Sequence, residues 1–298
     1  MNIILFFWNL IKPKNWLILL SMIINVGICV ALAAYVSYLF GLENRYILYI
    51  SLGVVGLYAL LEIIMLTPVG EAVLRSKMKM KPLPETSFVY SVFETVRART
   101  ESFNKWLSPR VKLYYTPTND VNAFALGSRT VCVTSGLTYL PPSQIEGILA
   151  HEFGHINYYD SYVSVVARHG NLLFYIAVVL VTQFISLFAF VFDTAISKRF
   201  GNAYFFRLAV NFVGNMLITL VSLISGVLFC ARSRIVEYKA DAFAAKIGEG
   251  RNLRDGLITI SGGGAPAKKT SLYEKMMGTH PPTNKRIEKL NALIGYGV

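Results

Sequence analysis

The stretch Ile148-Leu149-Ala150-His151-Glu152-Phe153-Gly154-His155 decides how this chain is read. On a helix, positions i and i+4 share a face, so both imidazoles can point at one metal ion. Glu152 cannot ligate from that face, but it can hold a water bound to the metal. Zinc lowers the pKa of such a water to about 7. Glu152 can then take the proton and pass it to a leaving amine. Two of the four histidines of the chain stand in this motif, and apolar Ile148 and Leu149 precede it, as in a buried active-site helix. A catalytic zinc takes three protein ligands and keeps one open position. For the third ligand, His169, His280 and Glu237 are all open. Glu237 and Asp241 share a helix face at i, i+4, so one could bind the metal while the other fixes a histidine ring through its free N–H. Ala240, Ala242, Phe243, Ala244 and Ala245 are small or apolar, which suits a packed helix.

Around this motif lies an unusually apolar chain. Its 298 residues are 54% hydrophobic and 15% charged, with mean hydropathy +0.49. Soluble domains carry about 25% charged residues. A disordered chain and a simple soluble enzyme are excluded. The net charge of +12 fits a membrane protein under the positive-inside rule and does not call for nucleic acid. Cys29, Cys132 and Cys230 form no Cys-x-x-Cys pair, which excludes a thiolate zinc site. Four apolar runs are long enough to span a bilayer, which takes about 20 residues as helix: 16–40, 46–66, 172–192 and 208–231. The first is too long for a cleavable signal peptide. Glu62 interrupts the second run near its end, as a snorkelling or helix-facing carboxylate. The chain thus divides into 1–66 with two spans, a hydrophilic segment 67–170, a second pair of spans in 171–231, and a hydrophilic segment 232–298.

Within the first hydrophilic segment, a helix is expected around 87–105, and strands over 111–116 and 129–134. Ser143 and Glu146 have the spacing of a capping box, and Pro141-Pro142 closes what precedes. That predicts a helix from Ser143 that carries His151 and His155 and runs on toward the third span. Ser261 to Gly264 reads as a flexible loop. His169 reads as an interfacial residue, and Lys77, Lys79 and Lys81 as contacts to lipid headgroups.

Glu237-x-x-x-Asp241 downstream of the His-Glu-x-x-His motif resembles the HtpX-type membrane zinc metallopeptidases, relatives of the CAAX prenyl endopeptidases and the mitochondrial Oma protease. Asn122-Ala123-Phe124-Ala125-Leu126-Gly127 and His280-Pro-Pro-Thr-Asn-Lys-Arg286 resemble further segments of that family, and Asp160 matches as well. Leu126 departs from it, standing where threonine is common. The resemblance covers most of the chain. It implies one zinc ion held by His151, His155 and Glu237, with Glu152 as general base. It implies Asp241 and Asp160 as supports behind the ligands, and His280 and Arg286 near the substrate or the developing oxyanion. Asn122, Ala123, Phe124, Ala125 and Gly127 are expected to run extended beside the zinc helix and pair with substrate. The fold implied is a mainly α membrane protein. Four transmembrane helices accompany a zincin-like α+β catalytic domain with a small sheet, assembled from two chain segments on one side of the membrane.

Topology follows from the ligands. Residues 151, 155 and 237 must meet, so both hydrophilic segments lie on one side, and the two spans between them return the chain to it. His155 precedes Leu172 by seventeen residues, which keeps the metal within about 25 Å of the bilayer boundary. Near the spans, that side carries Lys12, Lys14, Arg75, Lys77, Lys79, Lys81, Arg168, Arg232 and Arg234; the other carries Arg45, Lys198, Arg199 and Arg207. The bias places the site and both termini in the cytoplasm, in a multi-pass protein of a bacterial-type inner membrane. The expected enzyme is a gluzincin-type endopeptidase acting on polypeptides, membrane proteins above all, in quality control. A dedicated processing protease for a lipidated or secreted precursor and an idle membrane scaffold are the alternatives. The bilayer is a partner, nucleic acid is not, and no oligomeric partner is legible.

Overall fold

A computed structural model describes residues 8, 10–104, 110–196, 203–262 and 281–295. Lys105, Lys198, Arg199, Gly263, Gly264 and His280, all singled out above, lie outside them. The described elements are α1 (Trp16–Leu39), α2 (Asn44–Met65), α3 (Pro68–Lys77), β1 (Lys81–Pro82), α4 (Phe88–Phe103), β2 (Lys112–Thr116), β3 (Ala123–Leu126) and β4 (Thr130–Thr134). Then follow α5 (Pro142–Asn157), α6 (Asp160–Ile196), α7 (Ala203–Lys246), α8 (Gly250–Ile260) and α9 (Thr283–Leu293). The protein is mainly helical with one small mixed sheet. Four helical stretches are long and apolar enough to cross a membrane: Pro13–Leu39, Asn44–Met65, Asp160–Leu187 and Leu208–Lys246.

The chain forms two compact units. One comprises residues 17–63 and 166–228. Cys29, Phe174, Val178 and Val221 form its buried cluster, while Leu20, Ile23, Leu52, Leu180 and Phe212 are exposed. That inversion of the soluble pattern suits lipid, where apolar surface needs no covering. Polar side chains link its helices: Ser21 Oγ donates to Ser225 Oγ (2.8 Å), and Asn25 Nδ2 donates to Asn171 Oδ1 (2.9 Å). Glu62 faces inward and is buried, with Oε1 3.3 Å from His169 Nδ1.

The second unit gathers residues 64–165 and 229–298 with the N-terminal residues up to 16, so two distant chain segments build it together. Its sheet has the order β1-β2-β4-β3. β2 and β4 run parallel, with Leu113 opposite Val131; β1 and β3 are antiparallel to their neighbours. β4 is central and buried along its length, which is why Thr-Val-Cys-Val-Thr is β-branched or apolar throughout. β3 forms an edge and lies against α5. Val89, Phe93 and Val96 of α4 and Ile145, Leu149 and Phe153 of α5 share one core with β4, and the Phe93 and Phe153 rings stack at 5.6 Å.

Two local expectations are corrected. α5 starts at Pro142 and not Ser143, with Pro141 as N-cap and no side-chain cap. The N-cap is Pro141, which has neither a side-chain oxygen nor an N–H, and Ser143 lies inside the helix, so no capping box forms. Glu146 instead faces Arg99 Nη1 at 3.4 Å. The helix also does not run on toward the third span. It ends at Asn157, and Tyr159, with φ 60°, turns the chain before α6 begins at Asp160. The spans, finally, are segments of longer helices: α6 has 37 residues and α7 has 44.

Two glycines set helix contacts on which the metal site depends. A Cβ on Gly154 would lie 2.9 Å from Ala240 Cα, and one on Gly147 would lie 2.1 Å from the Leu253 nitrogen. α5 therefore touches α7 and α8 backbone to backbone. Gly147→Ala should separate α5 from α8 and destabilise the protein by about 1–3 kcal/mol, the usual range for overpacking. Thermal unfolding in detergent checks this; an unchanged midpoint would contradict the close approach.

Candidate metal centre

α5 and α7 bring the functional side chains together. His151 and His155, one turn apart on α5, face Glu237 on α7. One ligand atom from each lies within 4.8 Å of the other two, and this is the one such metal-capable group among the described residues. The two Nε2 atoms are 3.1 Å apart. Glu237 Oε1 lies 3.3 Å from His155 Nε2, and Oε2 lies 3.5 Å from His151 Nε2. The imidazole planes are nearly perpendicular, at 88°.

The donor set fits a borderline-soft divalent ion. The other nitrogen of His151, Nδ1, lies 2.8 Å from Asp241 Oδ1. A carboxylate there accepts a hydrogen bond from Nδ1–H, which leaves the Nε2 lone pair directed at His155 and Glu237. Burial and the Arg286 cation oppose a charge on His151, yet hydrogen bonds to Asp241 and Glu237 outweigh them and push the ring up to about 10. The surroundings favour a positive charge at this point, which a metal ion supplies.

Arg286, on α9, closes the site from behind. Its Nε and Nη2 donate to Asp241 Oδ2 and Oδ1 at 2.9 and 2.6 Å, in the bidentate geometry that guanidinium favours. Nη1 lies 3.2 Å from Glu237 Oε2. Burial works against its charge, but Asp241, Glu237 and Glu152 outweigh that and keep it more firmly protonated than usual. Glu152 is buried next to His151 on α5. Arg286 thus lies behind Asp241 and Glu237. Asp160 stands elsewhere: its Oδ1 accepts from Lys14 Nζ (2.8 Å) and from Arg232 Nη2 (2.9 Å), and Arg232 Nε donates to Asn15 Oδ1 (2.6 Å). His169 is not in the group. Ala123 to Leu126 do form the edge strand β3, and Gly127 begins its turn.

Four membrane-length helices and a His-His-Glu group in one chain define a membrane metallopeptidase. Comparisons with known proteins agree. The description of Peptidase family M48 matches residues 96–294. "Protease HtpX" of Shewanella baltica is 34% identical over 206 residues, covering 62% of this chain and 67% of that one. "Protease HtpX" of Shewanella frigidimarina is 32% identical over 226 residues, 70% of this chain and 75% of that one. "Protease HtpX homolog" of Methanocaldococcus jannaschii is 27% identical over 206 residues, 61% of this chain and 68% of that one. The crystal structure of S. mikatae Ste24p aligns with a TM-score of 0.52 at 20% identity over 89% of this chain. This chain spans 62% of that one, so the likeness speaks for the fold alone. The chain belongs to peptidase family M48, as an HtpX-like zinc metalloprotease.

Proposed function

We propose that this chain hydrolyses peptide bonds of misfolded membrane proteins at the cytoplasmic face of a bacterial-type inner membrane. One zinc ion per chain is held by His151, His155 and Glu237. The convergence of these three side chains, with Asp241 on the far nitrogen of His151, carries the reading. Zinc supplies Lewis acidity, polarising a carbonyl and lowering the pKa of water to about 7. Glu152 takes the proton of the attacking water and returns it to the leaving amine. Asp241 fixes the His151 ring, and Arg286 holds Asp241 and Glu237 in place; its contacts support that role over one on the oxyanion. Asp160, bonded to Lys14 and Arg232, steadies the start of α6 and the turn of α7 ahead of Glu237. His280 precedes Thr283, the first residue of α9, by three positions in the sequence and is assigned to the substrate side on the motif alone. The organisation proposed is the one given above: spans within 1–66 and 171–231, catalytic segments 67–170 and 232–298.

Substrate, in this reading, pairs with β3. The strand has β4 on one side only, and among the described residues no strand pairs with its other edge. Main-chain bonds to an extended peptide are independent of sequence, which suits many unfolded substrates. Small Ala123 and Ala125 allow close approach. Ala125→Pro removes one N–H and should raise KM at least several-fold relative to Ala125→Ser, with zinc content equal in both. If the proline variant is folded, zinc-loaded and as active as the serine variant, β3 is not the pairing edge.

Quality control and dedicated processing separate on substrate choice. The purified protein should cut an unfolded membrane reporter without preference for a lipidated peptide. Selective cleavage of the lipidated peptide would move the reading to processing. A protein that holds zinc and cuts neither would be a scaffold.

A further inference from the structure

The turn between β3 and β4 is held from two helices. Gly127, with φ 61°, opens it, and Leu126 pairs with Thr130 across it. Glu71 of α3, buried, reaches into this turn. Its Oε1 accepts from the Ser128 backbone N–H at 2.9 Å, and its Oε2 lies 3.4 Å from Thr130 Oγ1. Arg75, one helical turn on, donates from Nη1 to the same hydroxyl at 2.9 Å. A Cβ on Gly127 would fall 2.3 Å from Glu71 Oε1, so only glycine leaves room for this carboxylate as well as adopting the turn. From the other side, Ser161 Oγ donates to the Gly127 carbonyl and Tyr162 OH to Ser128 Oγ. Ser161 and Tyr162 open α6, directly after the helix that carries His151 and His155.

We propose that Glu71 is a positioning residue for substrate: it holds the β3–β4 turn and thereby fixes β3 in the register and place from which it pairs with an extended peptide. The proposal rests on the reading of β3 as the pairing edge. The physical reason is the weakness of a four-residue edge strand. Bonded on one side only, β3 owes its register to the turn that joins it to β4. A buried carboxylate is a costly way to hold a turn unless its acceptors are needed. Here burial pushes the Glu71 carboxyl up, against the Ser128 N–H and the Arg129 and Arg75 cations that favour its charged form. Glu71 also precedes residue 96, where the M48 match begins, so it stands apart from the motifs that define the family.

The test uses the full-length purified protein with Glu71→Ala, Glu71→Gln and Ala125→Pro. Gln keeps an acceptor for the Ser128 N–H, so it should restore what Ala removes. Amide exchange over residues 122–130, zinc content, and KM and kcat on a quenched peptide are measured for each. Glu71→Ala should exchange faster over that segment and keep its zinc. Its KM should rise about tenfold with kcat within about twofold, the pattern of lost substrate binding. Glu71→Gln should stay near wild type in all four. If Ala125→Pro raises KM while Glu71→Ala loosens the turn and leaves KM unchanged, the proposal is wrong and the pairing edge stands. If neither variant moves KM, the pairing edge itself has failed, and the proposal with it. Should Glu71→Ala not fold, Tyr162→Phe, which loosens the same turn from α6, decides by the same criteria.

Discussion

Glu152→Gln should keep its zinc and lose peptide hydrolysis by about a thousandfold or more, toward the upper part of what general acid–base catalysis contributes. The amide is isosteric with the carboxylate but cannot accept the proton of the attacking water. The ligands His151, His155 and Glu237 are untouched, so metal content should match wild type. Glu152 is buried beside His151, so the substitution also removes a negative charge that favours the Arg286 cation. That loss is borne elsewhere: Arg286 keeps its bidentate partner Asp241 and its contact with Glu237. Folding should therefore survive. Normal turnover in a zinc-loaded preparation free of wild type would remove Glu152 from the base role.

Glu237→Ala should lose both zinc and activity. Two imidazoles leave a catalytic zinc one ligand short, and no other carboxylate or imidazole completes the group among the described residues. The loss reaches further than one ligand. Glu237 also faces Arg286 Nη1 at 3.2 Å, so removing it unbalances a buried cation. His169→Ala is the informative partner experiment. Its ring is taken up by Glu62 in the other compact unit and should leave zinc content alone. Full zinc in Glu237→Ala, with zinc lost in His169→Ala, would mean the ligand set is wrong.

Much of this was legible in the sequence because two strong constraints write themselves into it. The bilayer demands long apolar runs, and α1 and α2 end within two residues of the runs 16–40 and 46–66. The metal demands histidines at i, i+4 and a carboxylate on a packed helix, and those residues do converge. What hydropathy could not mark is where a helix continues beyond lipid. α7 runs unbroken from the fourth span through Glu237 to Lys246, and nothing in its polar end signals a stop. The break after α5 was hidden for a different reason. Asn157-Tyr158-Tyr159-Asp160 contains neither glycine nor proline, and a tyrosine takes the left-handed conformation instead. The capping box failed because the helix starts one residue before Ser143, which leaves Pro141 at the N-cap.

Long-range partners were the least legible. Arg286 could be matched by motif, but not its bidentate hold on Asp241, 45 residues away. Glu71 gave no signal at all. It lies 57 residues before the amide it binds, in a short helix with no motif of its own. Asp160 shows the converse: a motif match whose contacts, to Lys14 and Arg232, run to the N-terminal segment and α7, with none of its bonds reaching a ligand imidazole.

The zinc K-edge absorption spectrum of the purified protein, taken together with metal content, tests the central claim most directly. The account predicts one zinc per chain with two imidazole nitrogens and carboxylate or water oxygens in its coordination sphere, at about 2.0–2.2 Å. It also predicts that Glu152→Gln leaves the protein ligands unchanged. A sphere containing sulfur from Cys29, Cys132 or Cys230, or one with no imidazole, would contradict it.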